Sequence, residues 1–158
     1  MKRKIDTRHS NVSSPAFAHL DAAYRATAYT VYLADGALAL RVGTASPALD
    51  GWLKRYGYAS WAFVSACNPG SRPSTAAEND ARHARLVAAV EALGLEWIAG
   101  MGVPDDGGWT PEASLFIPGI APTDALMLAS RFGQNAIVCG TLGGVPQLRY
   151  SASPQLRI

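Results

Sequence analysis

From Tyr58 to Ala66 the chain carries no charge, and its residues are aromatic, β-branched or small. Such a run has no wet side, which predicts a strand buried on both faces near the middle of a sheet. Asn68-Pro69-Gly70 stops it, since proline cannot donate to a ladder and all three residues suit a turn. Thr75 and Glu78 then stand three apart, the spacing of a capping box in which each side chain satisfies an amide at a helix start. The helix is expected to run to Leu93 and end at Gly94. Along it Asn79, Leu86 and Leu93 are seven apart, with His83 and Val90 beside them, and form the predicted core stripe. Polar first turns on that stripe aim Asn79, with Arg82 or His83, at the strand end carrying Asn68. A polar pocket at strand ends is the expectation.

The same periodicities organise the rest. Ser14-Pro15 opens a short amphipathic helix through Phe17, Leu20 and Tyr24. Tyr29 to Leu33 and Ala37 to Val42 flank Asp35-Gly36, the dipeptide of a type I′ hairpin. Ser46-Pro47 begins a helix with an apolar stripe of Leu49, Trp52, Leu53 and Tyr56, closed by Gly57. Leu95 to Met101 reads as a strand running into the polar loop Pro104 to Gly108. Ala113 to Ile117 is a further strand, Pro122 to Phe132 a helix capped by Gly133, and Ala136 to Cys139 and Gln147 to Tyr150 a hairpin about Gly143-Gly144. The expected fold is α+β: one domain over 14–158, with about four helices and a mixed sheet of six or seven strands, in the order αββ-αβ-αβ-β-αββ.

The 158 residues are 49% hydrophobic and 16% charged, enough for a single core. The net charge of +2 is misleading as a sign of nucleic-acid binding. Lys2, Arg3, Lys4 and Arg8 against Asp6 put +3 into the first residues, leaving −1 for the remainder. Residues 1–13 read as a disordered basic tail, or as a short basic arm that could touch an anionic partner such as nucleic acid. No apolar run follows the basic start and none is long enough to span a bilayer, so a cytoplasmic protein with no membrane partner is expected. Cys67 and Cys139 suit reduced core positions, and with no C-x-x-C and no second His nearby structural zinc has almost no support.

Three segments then acquire joint meaning: W-A-F-V-S-A-C-N-P-x-S from Trp61, with E-N-x-x-R from Glu78; P-E-x-S-x-x-x-x-G from Pro111; and R-F-G-Q-N-A-I-V from Arg131. In order and spacing the chain from about Tyr29 to Tyr150 resembles the bacterial family known as domain of unknown function 3293. The resemblance implies a stand-alone cytoplasmic domain and brings no activity, cofactor or ligand. The matching positions are Ser65, Asn68, Pro69, Ser71, Asn79, Arg82, Glu112, Ser114, Gln134, Asn135 and Ala136. Cys67 departs from the pattern, where an aromatic residue is expected, which argues against an obligatory Cys67 nucleophile.

Four chemistries compete for these residues. Gly70 to Ala77 with Arg72 could hold an anion on helix-start amides, although no phosphate-loop motif is present. Asn68, Asn79, Arg82, Glu112, Gln134 and Asn135 fall at element ends, where carboxamides could read a base or sugar edge and Glu112 accept a proton. The same residues would equally serve as caps, turns and an ion pair. Cys67 or Ser65 with His83 would make a nucleophile and base with nothing to orient the base. Asp105, Asp106 and Glu112 could hold magnesium, or simply form a solvated turn. Trp109, beside that loop, could stack on a ligand. The leading expectation is a pocket lined by Asn68, Ser71, Arg72, Asn79, Arg82, Glu112, Gln134 and Asn135 for a phosphorylated or nucleotide-like ligand, without a cofactor. The alternatives are a nuclease-like phosphoester hydrolase, with Glu112 as base and Arg72 or Arg82 stabilising charge, and a protein-interaction module.

Overall fold

A computed structural model describes residues 15–151; the expected tail over 1–13 and the Ser14 cap lie outside them. Four helices and seven strands follow one another: α1 (Pro15–Arg25), β1 (Thr27–Leu33), β2 (Gly36–Leu40), α2 (Pro47–Tyr56), β3 (Ser60–Ser65), α3 (Ala76–Ala92), β4 (Ile98–Pro104), β5 (Glu112–Pro118), α4 (Pro122–Arg131), β6 (Ala136–Thr141) and β7 (Gln147–Tyr150). The class is α+β and the element order is the expected one. None of the helices is long and apolar enough to cross a membrane.

The strands form one sheet in the order β2-β1-β4-β5-β3-β6-β7, and every pairing is antiparallel rather than mixed. The crossovers explain the difference. β3-α3-β4 and β5-α4-β6 each join parallel strands that never touch, because β5 fills the first gap and β3 the second. The segment β3 to β6 therefore has the split βαβ, ferredoxin-like topology. The hairpin β1-β2 extends the sheet beside β4, and β7 extends it beside β6.

Local chemistry sets the element ends. Ser46 Oγ accepts from Leu49 N at 3.3 Å, and Gly57 closes α2 with φ 77°. At α3, Thr75 Oγ1 accepts from Glu78 N at 3.1 Å while Thr75 N donates to Glu78 Oε2 at 2.9 Å. The first hairpin turns one residue earlier than expected. Leu33 pairs with Gly36, so Ala34 and Asp35 occupy the turn, neither of them among the positive-φ residues; glycine follows a type I turn instead of sitting inside a type I′ one. β4 begins three residues late because Leu95 N still donates to Val90 O at the helix end, at 3.3 Å. Leu93 is a further correction, being 55% exposed. A 3.6-residue helix drifts about 20° per seven residues, or about 40° over the two heptads from Asn79, which carries Leu93 off the stripe.

Strand alternation gives the sheet two different faces. Ala62, Val64, Leu115, Ile117, Ile137 and Cys139 point to one, where Leu86, Ala89 and Val90 of α3 and Ala125, Leu128 and Ala129 of α4 cover them. Tyr29, Val31, Trp61, Phe63, Phe116 and Val138 point to the other, against Leu49 and Leu53 of α2. There Gly100 and Gly140 make room for rings: an added Cβ would lie 2.6 Å from Phe63 Cε2 and 2.9 Å from the Trp61 ring.

Candidate functional site

On the α2 face the cross-strand rows shrink toward one end of the sheet. Ile98, Phe116, Phe63, Val138 and Leu148 form one row across five strands. Two residues further, the next row reads Val31, Gly100, Ser114 and Ser65, and beyond it come Tyr29, Gly102 and Glu112. Small and polar side chains cannot fill what the rings filled, so a crevice opens. It has an inner cavity of about 50 Å³ among Thr27, Tyr29, Phe63, Ser65, Ser114 and Ala136. An outer one of about 160 Å³ lies among Leu20, Cys67, Asn68, Ser71 and Pro73. Tyr24, Trp109, Glu112 and Gln134 border both.

Glu112 is the chemical centre. Its Oε1 accepts from Asn68 Nδ2 at 2.7 Å, and no hydrogen bond reaches Oε2 from the described residues. Burial raises the carboxyl above its ordinary value, against the lowering effect of Asn68. No arginine or lysine is among the residues that border the crevice. The surrounding groups register the negative charge. Tyr24 is pushed up to about 12, chiefly by burial, with Ser71 opposing and Glu112 adding. Tyr29 and the Cys67 thiol are also raised, in both cases first by burial.

The loop after β3 is built to hold Asn68 in place. Asn68 N donates to Asn79 Oδ1 at 2.9 Å, and Asn68 Oδ1 accepts from Asn79 Nδ2 at 3.0 Å and from Ser74 N at 2.9 Å. Arg82 Nη1 in turn donates to Ser74 Oγ at 2.9 Å. The sequence's polar stripe is therefore real, but it acts behind the crevice: Asn79 and Arg82 support Asn68, and Asn68 orients Glu112. Asn68 (φ 47°) and Ser71 (φ 59°) are left-handed non-glycine residues, a strained conformation that the surrounding bonds must maintain. Gln134 Nε2 donates to Cys67 O at 2.9 Å. Asn135 Nδ2 donates to Ser71 Oγ at 3.0 Å, and Gly70 N to Gly133 O at 2.7 Å, so the α4-β6 junction clamps the same loop.

The other expected constellations do not assemble. Arg72 is exposed and lies outside both cavities, and the capping box occupies amides of the first turn of α3. Arg82 borders the α3-α4 groove on the opposite face instead of meeting Glu112. Cys67 Sγ is 3.6 Å from Ala113 O, while His83 Nδ1 is buried with no partner among the described residues; nothing joins the two. Asp105 is bound in two directions by Arg41, at 2.8 and 2.7 Å. Asp106 Oδ1 accepts from Gly108 N at 2.8 Å, so the acidic loop is a capped turn. Among the described residues no metal-binding cluster forms. Trp109 does border the crevice, as its position beside the loop suggested. Tyr24, Thr27, Tyr29 and Phe63 also border the crevice and are not marked by local patterning, because only the strand order β1-β4-β5-β3 gathers their elements around Glu112.

Residues 64–137 match the family described as protein of unknown function, DUF3293. The chain resembles that family over a narrower span than its three motifs suggested. The span includes Asn68, Trp109, Glu112 and Gln134 but not the opposing wall of Tyr24, Thr27 and Tyr29. No curated protein and no solved structure matches the chain.

Proposed function

We propose that this domain binds a nucleotide-like small molecule with its base in the crevice and its phosphate outside. The observation that carries the reading is the half-buried Glu112 carboxylate, bordered by Tyr24 and Trp109, with Oε2 unpaired among the described residues. An ionised carboxylate only accepts hydrogen bonds, and aromatic side chains favour a flat partner, so the complementary ligand is a planar heterocycle with N–H donors. Gln134 Oε1 and the Ser71 hydroxyl add polar groups at the border. The combined space is small against the 300–1,000 Å³ of common ligand pockets, which suits a base and leaves sugar and phosphate near exposed Arg72.

The test is a thermal-shift series with guanosine, cytidine, adenosine and uridine monophosphates on the wild type, Glu112→Gln and Tyr24→Ala. A ligand at a hundred times its dissociation constant stabilises by about 2.7 kcal/mol, a shift of a few degrees. Guanosine monophosphate, with adjacent ring and amino donors, should give the largest shift, and Glu112→Gln should lose most of it. No shift with any of the four, or an undiminished shift in both variants, would remove the reading and favour a protein-interaction module.

The raised carboxyl of Glu112 supports a second reading, a phosphoester hydrolase in which it takes a proton from water. Arg82 then serves through Ser74 and Asn68 rather than on phosphate. Turnover of a phosphodiester by the wild type, lost in Glu112→Gln while binding persists, would establish it.

A further inference from the structure

On the face away from the crevice, α3 and α4 leave an open groove of about 690 Å³. Arg82, Arg85 and Arg131 stand along it over a floor of Ala88, Ala89 and Gly133. It continues past Ala92 and Arg131 into a further 320 Å³ beside Leu93, Met127 and Leu128. Met127 is 70% exposed, as is 55% of Leu93. The groove is thus basic at one end and apolar at the other. Asp124 borders the apolar end, and Glu78, one turn before Arg82, is engaged with the backbone of Thr75. Neither Arg85 nor Arg131 has an ion-pair partner among the described residues; Arg131 lies over the Phe132 ring, 5.6 Å from its centroid.

We propose that this groove docks an acidic, amphipathic segment of another protein, its carboxylates opposite Arg85 and Arg131 and a bulky apolar side chain against Met127 and Leu93. Charge complementarity selects the occupant. Guanidinium groups match carboxylates in paired hydrogen bonds, while a uniformly charged nucleic-acid backbone leaves the apolar end unused. The chain's own ends do not fit: residues 1–14 carry Lys2, Arg3, Lys4 and Arg8 against Asp6, and residues 152–158 carry Arg157 with no acidic side chain.

The probe is a fluorescein-labelled twelve-residue peptide with glutamates on one helical face and two leucines on the other, read by anisotropy at low salt against the full-length protein. Saturable binding is expected. It should weaken at least tenfold in Arg85→Glu/Arg131→Glu and severalfold in Met127→Ser, and disappear when the peptide's glutamates become glutamines. Both variants alter exposed side chains, and an unchanged melting temperature confirms the fold. Absence of saturable binding would overturn the proposal. So would equal binding by a single-stranded RNA dodecamer, which would make this a nucleic-acid surface, or a sedimentation shift to dimer that Met127→Ser abolishes. The crevice plays no part in this test, so Glu112→Gln should bind the peptide as the wild type does.

Discussion

The two faces of the sheet solve the same packing problem in opposite ways. Beneath α3 and α4 the buried side chains are aliphatic or small, from Ala62 and Val64 to Leu86, Leu115 and Ile117. Two helices suffice to close that face. The other face has only the ten-residue α2 over its centre, and the missing cover is replaced by rings: Trp61 and Phe116 stack at 5.5 Å, and Tyr29 meets Phe63 edge-on at 5.3 Å. Where the rings give way to Ser65, Ser114 and Gly102, α1 forms the last wall. α1 buries no residue of its own. It is held by Tyr150, whose hydroxyl donates to Asp21 at 2.8 Å and whose ring lies 4.7 Å from Phe17, and by the Tyr29 and Thr27 hydroxyls, which donate to Tyr24 O at 2.9 Å and Ala23 O at 2.8 Å. One face is closed by two helices, and the other ends in a crevice walled by α1.

Core truncations should divide along that line. Leu86→Ala is expected to cost about 2–5 kcal/mol and Phe63→Ala about 3–5 kcal/mol in denaturant unfolding. Only Phe63→Ala should also change the nucleotide-induced thermal shift, since only Phe63 borders the crevice. Equal effects of both on ligand response would break the division.

Smaller effects come from the glycines under the rings. Gly100→Ala sets a methyl 2.6 Å from Phe63 and 2.9 Å from Thr30 O, and should cost about 1–3 kcal/mol by overpacking. Gly51→Ala, in α2 with open space around it, should stabilise by roughly 0.5–1 kcal/mol. Asn68→Gly keeps the left-handed backbone but removes the bonds to Glu112, Asn79 and Ser74. A loss of about 1–3 kcal/mol is expected, together with a weakened ligand response, and Asn79→Ala should follow it in the same direction.

The smallest expected effect is also the most diagnostic. A carboxyl raised in the folded protein binds its proton more tightly there than in the unfolded chain, so stability falls as pH rises from the ordinary 4.5 through the raised value. Glu112→Gln keeps an acceptor for Asn68 and cannot ionise. Its melting temperature should equal or exceed that of the wild type at neutral pH, with the gap closing as pH falls toward 4.5. A gap that widens on acidification would mean that the carboxylate is favoured in the folded state.

How far the chain could be read in advance follows from the range of the forces involved. Ser46, Gly57, Thr75 with Glu78, and Gly133 act on backbone groups within a few residues, so sequence alone placed the helices and the turns after them. Period-two alternation and the uncharged run at Trp61 to Ser65 likewise marked the strands, and seven-residue spacing brought Asn79 toward Asn68. Which strand lies beside which was decided by tertiary structure, because β5 enters between β3 and β4 only when α3 and α4 can share one face. That insertion made the sheet antiparallel throughout and set Tyr29, Gly102 and Glu112 in one row. It also left Arg82 on the opposite side from the carboxylate it was expected to serve. Most polar residues that border the crevice or support it were legible, since polar groups at element ends are conspicuous. Their division into a crevice and its supports was not, because it depends on which side of a β-sheet each side chain emerges.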